Sequence, residues 1–183
     1  MNQILILDDS TINRIAAGEV VERPASIIKE LVENSIDAGS TAITVEIRDG
    51  GISYIRVADN GKGMGFQDAR MSFERHATSK ISSSNDLLNI YTLGFRGEAL
   101  ASIAAVTHME MITREKDSIS GIQIINHGGK MISEKEIGCP EGTTIITENL
   151  FFNTPARLKF LKSSRTETAH ISDLMGKLIL AHP

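Results

Sequence analysis

The spacing of apolar and polar positions changes period several times along the chain. Ile27, Ile28, Leu31, Val32 and Ile36 recur at helical spacing, Pro24 suits a first turn and Gly39 a stop, so a helix is predicted from Pro24 to Gly39. Before it, Ile12 to Gly18 reads as a short helix ended by its glycine. After it, Ala42–Arg48 and Ile52–Ala58 alternate with period two around Asp49-Gly50-Gly51, the pattern of a hairpin. A helix is expected around Asp68–Phe73, and Gly97–Ala105 is rich in small helix formers. From Thr107 to Thr147 the pattern predicts short strands, with turns at His127-Gly128-Gly129 and Cys139-Pro140-Glu141-Gly142. Pro155–Leu161 and about Thr166–Leu180 read as helices. Together these predict an α+β two-layer sandwich, with two or three helices on one face of a mixed, mostly antiparallel sheet.

Composition narrows what such a sandwich can do. The 183 residues suffice for one domain, read as spanning 1–183, and 41% hydrophobic with 23% charged residues is globular composition. A net charge of -4 argues against a basic nucleic-acid-binding module acting alone, because phosphate neutralisation drives that binding. The single cysteine, Cys139, excludes an internal disulfide and a cysteine-rich metal site, and points to a reducing, intracellular compartment. No apolar run approaches the roughly 18 residues of a membrane span. Met1–Leu7 is apolar but carries neither a basic leader nor a cleavage site, so it does not read as a secretory signal; no membrane is expected among the partners. His76 and His108 lack zinc-ligand spacing. Arg157, Lys159, Lys162 and Arg165 form a basic run, either a solvated helix face or an edge that meets DNA. The chain stops at Ala181-His182-Pro183, which reads as a boundary inside a longer protein, the alternative being a natural terminus.

Three segments offer chemistry. On a helical wheel Glu30, Glu33, Asn34 and Asp37 crowd one arc of the second helix, opposite its apolar side, which also holds Ser35 and Ala38. That arc is either a solvated acidic face or a site. Glu30 and Asn34 lie one turn apart, and their oxygen donors suit magnesium, which takes few protein ligands. A carboxylate beside a bound phosphate can also deprotonate water. The strand ending in Asp59 runs into Asn60-Gly61-Lys62-Gly63-Met64-Gly65. There the glycines let a ligand approach the backbone, and an acceptor-only carboxylate selects a donor such as the adenine amine. The plainer alternative is a turn after a strand. Thr92-Leu93-Gly94-Phe95-Arg96-Gly97-Glu98-Ala99-Leu100 leads into a helix whose backbone N–H groups could meet phosphate, or it is an ordinary helix-start loop. Neither the P-loop nor the G-x-G-x-x-G pattern is present.

Taken together, Glu30, Asn34, Asp59, Gly61, Gly63, Gly94 and Gly97 resemble the pattern of the GHKL ATPases, which include gyrase B, histidine kinases, heat-shock chaperones and MutL. Ile15-Ala16-Ala17-Gly18-Glu19-Val20-Val21-Glu22-Arg23-Pro24, Lys29–Ser35, Ala77-Thr78-Ser79-Lys80, Gly94–Leu100 and Asn153-Thr154-Pro155-Ala156-Arg157 are similar to the MutL mismatch-repair branch in particular. That resemblance implies the GHKL (Bergerat) ATP-binding fold and an ATPase using ATP and magnesium. Glu30 would be the general base and Asn34 the magnesium ligand. Asp59 would hold the adenine amine, with Gly61, Gly63 and Met64 shaping that wall, and Ala38 and Thr143 lining the nucleotide. Thr78, Ser79, Lys80 and Leu93, Gly94, Phe95, Arg96, Gly97, Glu98, Ala99 and Leu100 would close over the phosphates, ordering a lid from about Arg75 to Phe95.

The resemblance further implies an ATP-dependent N-terminal dimer that signals to the mismatch-recognition protein MutS and to DNA, bound without sequence preference. It places the protein in the cytoplasm and nucleoid of a bacterium or the nucleus of a eukaryote. A second, transducer domain carrying a phosphate-side lysine, and a C-terminal dimerisation domain, are expected beyond this chain, so turnover by the chain alone should be weak. Three rivals remain. A topoisomerase subunit is disfavoured by Gly94–Leu100 and Asn153–Arg157. A histidine-kinase catalytic domain should lack Glu30 as a base, and a non-catalytic interaction domain would neither bind nor turn over ATP.

Overall fold

The computed structural model describes residues 4–78, 80, 93 and 97–182, the side chains of Asp9 and Ser10 excepted. Ser79, Gly94, Phe95 and Arg96 of the expected site, and most of the expected lid, lie outside the described residues. Helix α1 spans Asp9–Val20. The Asp8 carboxylate starts it, accepting from Thr11 N at 3.0 Å, as a side-chain cap should. Gly18 does not end this helix. It stays inside, and the reason is close approach: a Cβ there would lie 1.7 Å from Arg157 Nη2, which donates to Ile15 O at 3.4 Å. Arg157 therefore turns inward, away from any solvated basic face.

Helix α2, Pro24–Asp37, has proline in its first turn, as the spacing predicts. Its apolar stripe is buried, with Ile27 and Ile28 fully enclosed. It ends where expected: Ser40 N donates to Ser35 O at 3.2 Å and Gly39 N to Ile36 O at 2.9 Å, satisfying carbonyls the helix leaves open. Strands β1 (Ile43–Arg48) and β2 (Tyr54–Asp59) pair antiparallel across a single turn of 3-10 helix at Asp49–Gly51. β2 begins two positions later than the alternation suggests, because Ile52 N is committed to Asp49 O in the turn.

Helix α3 (Phe66–Met71) and helix α4 (Ala99–Ala105) follow, then β3 (His108–Arg114), β4 (Gly121–His127), β5 (Lys130–Ile137) and β6 (Gly142–Glu148), and finally α5 (Pro155–Phe160) and α6 (Ser164–Ala181). The six strands form one sheet in the order β1-β2-β6-β3-β4-β5. Every pairing among the described residues is antiparallel, so the parallel element allowed for by a mixed sheet does not occur there. The last strand thus inserts at the centre, between β2 and β3.

That insertion creates cross-strand rows on the covered face. Ile55, Thr147, Met109 and Asn126 form one; Val57, Ile145, Met111 and Ile124 the next. The third row, Asp59, Thr143, Thr113 and Ile122, is largely polar, and it ends the apolar face. Helices α2, α3 and α4 rest on the sheet, α1 packs on α4, and α6 on α2. The core between these layers is drawn from both, including Leu31, Ile103, Met111 and Ile124. Among the described residues no helix is long and apolar enough to cross a membrane.

Candidate functional site

The polar row meets α2 at the helix's C-terminal half. Asp59 is placed by the period of β2: Ile55 and Val57 go under the helices, so the carboxylate two positions on faces the same way. Asp59 Oδ1 accepts from Gly61 N at 2.8 Å and from Thr143 N at 3.3 Å. The Ser35 hydroxyl lies 2.8 Å from Asp59 Oδ2 and 3.0 Å from Leu31 O, and its one proton favours the charged, nearer acceptor. Three donors from three parts of the chain thus fix the carboxylate. Ser35 falls on the apolar side of the wheel, and a polar residue on that buried face is the sequence signal for this contact.

Behind Asp59 stands Thr113, fully buried. Its hydroxyl accepts from Met64 N at 3.0 Å and sits 2.9 Å from the Thr143 hydroxyl. The Met64 side chain packs against the core. Backbone crowds this corner. A Cβ on Gly61 would lie 2.8 Å from the Ala38 Cβ, and Ala38 O accepts from Lys62 N at 3.1 Å. Gly142 has φ +103, and a Cβ there would lie 2.1 Å from Asp59 O. Gly63, at φ +64, is likewise pressed against Arg114 O. Asp59, Gly61, Gly63, Met64, Ala38 and Thr143, expected together, are together.

The acidic arc of α2 is not simply solvated. Lys29 Nζ lies 2.8 Å from Glu33 and 3.5 Å from Glu30. Burial pulls the Lys29 ammonium down, yet the Glu33 and Glu30 carboxylates outweigh it and leave its pKa raised. From far along the chain Lys80 Nζ reaches Asn34 Oδ1 at 2.8 Å and Asp37 Oδ2 at 2.6 Å. Asp37 Oδ1 accepts from Leu93 N at 3.1 Å. Thr78 supports this corner by accepting from Lys80 N at 3.1 Å. Glu98, just ahead of Ala99 and Leu100 in the first turn of α4, lies 3.1 Å from His76 and 3.6 Å from Arg75. Gly97 is pressed against the Ala77 carbonyl. Glu30 stands one turn before Asn34 with its side chain 27% exposed, accessible to water.

Among the described residues no group of three or more His, Cys, Asp and Glu side chains could hold a metal. The oxygens of Asn34 and Asp37 already hold one cation, the Lys80 ammonium, and that hard donor set fits magnesium, which retains most of its water. Two surface hollows lie elsewhere. The larger, about 380 Å³, is bounded by Arg70, Met71, Glu74, Met131 and Glu134 at the α3–β5 edge, and no site residue lines it. The smaller, about 280 Å³, borders Met64 alone among them. Converging polar groups, rather than hollow volume, mark the site.

The sequence profile of the histidine kinase-, DNA gyrase B- and HSP90-like ATPases matches residues 22–148, from the turn before α2 to the end of β6. The chain belongs to this ATPase family. Over all 183 residues it is 59% identical to the DNA mismatch repair protein MutL of Thermoanaerobacter pseudethanolicus, covering 30% of that protein. It is 57% identical to MutL of Agathobacter rectalis, covering 28%. The chain therefore spans about 30% of the length of these relatives. Among solved structures, the Aquifex aeolicus MutL ATPase domain complexed with ADP is 33% identical with a TM-score of 0.65, over 85% of this chain and 54% of that one. The N-terminal domain of a DNA repair protein matches with a TM-score of 0.73 and 30% identity, over 94% and 50%. The ATPase fold and the likeness to the MutL branch, both expected from the motifs, are borne out.

Proposed function

We propose that the chain is the ATP-binding and ATP-hydrolysing domain of a MutL-type mismatch-repair protein. The observation that carries this is Asp59, an acceptor fixed by Ser35, Gly61 and Thr143 at the end of the polar row, with Glu30 and Asn34 on the adjoining helix. Asp59 accepts a hydrogen bond from the adenine amine, and Ala38, Met64 and Thr143 line the base. Glu30 takes a proton from water as the water oxygen attacks the terminal phosphorus, and ADP leaves. Asn34 would hold magnesium, which would supply positive charge beside the phosphate oxygens. Lys80, with Leu93 and Gly97, Glu98, Ala99 and Leu100, closes over the phosphates.

Closure favours a dimer to the extent that the dimer binds ATP more tightly than the monomer. Ile4, Leu5 and Ile6 supply exposed apolar surface for such an association, at 91%, 79% and 99% exposure. The dimer would signal to MutS and engage DNA inside the cell, with the exposed Lys159, Lys162 and Arg165 as candidate phosphate contacts. A transducer and a C-terminal domain would complete the protein. Glu30→Ala tests the assignment. ATP affinity, by equilibrium titration with magnesium, should hold within about twofold, while turnover falls by about 10²–10⁴. Equal turnover by variant and wild type would remove Glu30 as the base.

A further inference from the structure

Lys80, expected at the phosphates, is engaged elsewhere. Its ammonium is bracketed by Asn34 Oδ1 at 2.8 Å and Asp37 Oδ2 at 2.6 Å. The contact is sheltered: the Lys80 side chain is 20% exposed and that of Asp37 9%. Asp37 is committed from its other oxygen too, accepting from Leu93 N. Lys80 and Leu93 thus meet at one carboxylate.

An ammonium and a divalent metal ask for the same partners, hard oxygen acceptors. They differ in what they exclude. Two cations within about 4 Å of each other repel strongly where water is scarce, so Asn34 Oδ1 serves one or the other. Adding phosphate changes the competition. It gives the ammonium a second anion to pair with and gives the metal oxygens that the protein does not supply.

We propose that Lys80, positioned by Asp37, competes with the divalent cation for Asn34, and that phosphate releases the oxygen by drawing the ammonium away. This rests on reading Asn34 as the cation's ligand. Metal alone then binds poorly, nucleotide alone meets an engaged lysine, and the two bind with strong mutual support, a coupling that by linkage runs equally in both directions. Lys80 acts here as a positioning group, through its hold on Asn34 ahead of any contact with phosphate.

Manganese(II) binding, followed by electron paramagnetic resonance without added nucleotide, tests this on the wild type, Lys80→Met, Asn34→Ala and the double variant. Lys80→Gln serves if the methionine variant fails to give the wild-type circular dichroism spectrum. Lys80→Met should bind manganese at least about tenfold more tightly than wild type, and the double variant should lose that gain. If Lys80→Met gains nothing while Asn34→Ala still weakens manganese binding in the presence of ATP, the competition is overturned and Asn34 remains the ligand. If the gain persists in the double variant and Asn34→Ala changes nothing with ATP, the reading of Asn34 fails and the competition for it fails as well.

Discussion

On the side proposed for the base, Asp59 is held by a backbone N–H of its own loop, a backbone N–H of β6 and a hydroxyl on α2. On the side proposed for phosphate, the Lys80 ammonium bridges Asn34 and Asp37, Leu93 N also donates to Asp37, and Glu98 meets His76 and Arg75. One wall is set by strand register and crowded backbone, the other by charged side chains. Backbone hydrogen bonds in a sheet form with the fold and change little with solution conditions. Side-chain ion pairs are exchanged for other ions, and salt screens them. A nucleotide site has use for both: a fixed wall to select the base, and a wall whose partners can be replaced as phosphate and metal arrive.

The sharpest way to break this contrast is Gly142→Ala. A methyl there meets Asp59 O and Asn60 Cα at a backbone angle that alanine resists. Stability in urea should fall by about 3 kcal/mol, and ATP affinity should fall with it, because the same strand start carries Thr143. Retained stability would mean that the base wall is not set by backbone crowding. Next in size, Asp59→Asn should weaken ATP binding by about 1.5–3 kcal/mol and narrow the preference for ATP over GTP, with melting little changed. Wild type that binds the two nucleotides equally would sink the adenine assignment.

The smallest effect belongs to the phosphate side. Lys29 has its pKa raised above the ordinary lysine value of 10.5, mainly against its own burial, by Glu33 and Glu30. A raised value means the folded state holds the proton more tightly. The gain is present in full below pH 10.5 and is lost as pH rises through the folded value. Lys29 is 47% exposed, so water screens most of it and under about 1 kcal/mol is expected. The difference in melting temperature between wild type and Lys29→Met should be constant from pH 7 to 9 and shrink above pH 10.5. A difference that grows in alkali would contradict the raised pKa.

Much of the contrast was foreshadowed by residue order. Local period is enough to outline α2, because its apolar stripe and its polar arc repeat once per turn, and Pro24 and Gly39 obey rules that act within a few bonds. The same holds for the β1–β2 hairpin and for Asp59 with Gly61 and Gly63, whose residue types announce a carboxylate in a tight loop. Gly18 shows the limit. Its residue type suits a helix stop, yet the helix continues, because the space it leaves is filled by an arginine 139 residues further on in numbering (from 18 to 157).

Tertiary structure decided the pairings. Thr143 reaches Asp59 across 84 residues because β6 slots between β2 and β3, and nothing within either strand specifies that neighbour. Any apolar, period-two strand can offer hydrogen bonds to any other; burial of all the rows at once selects the order. Lys80 reaches Asp37 across 43 residues for a related reason. A wheel shows which acids share a face but not which distant cation will be brought to them, since charge acts over a few ångströms of space and is indifferent to position along the chain.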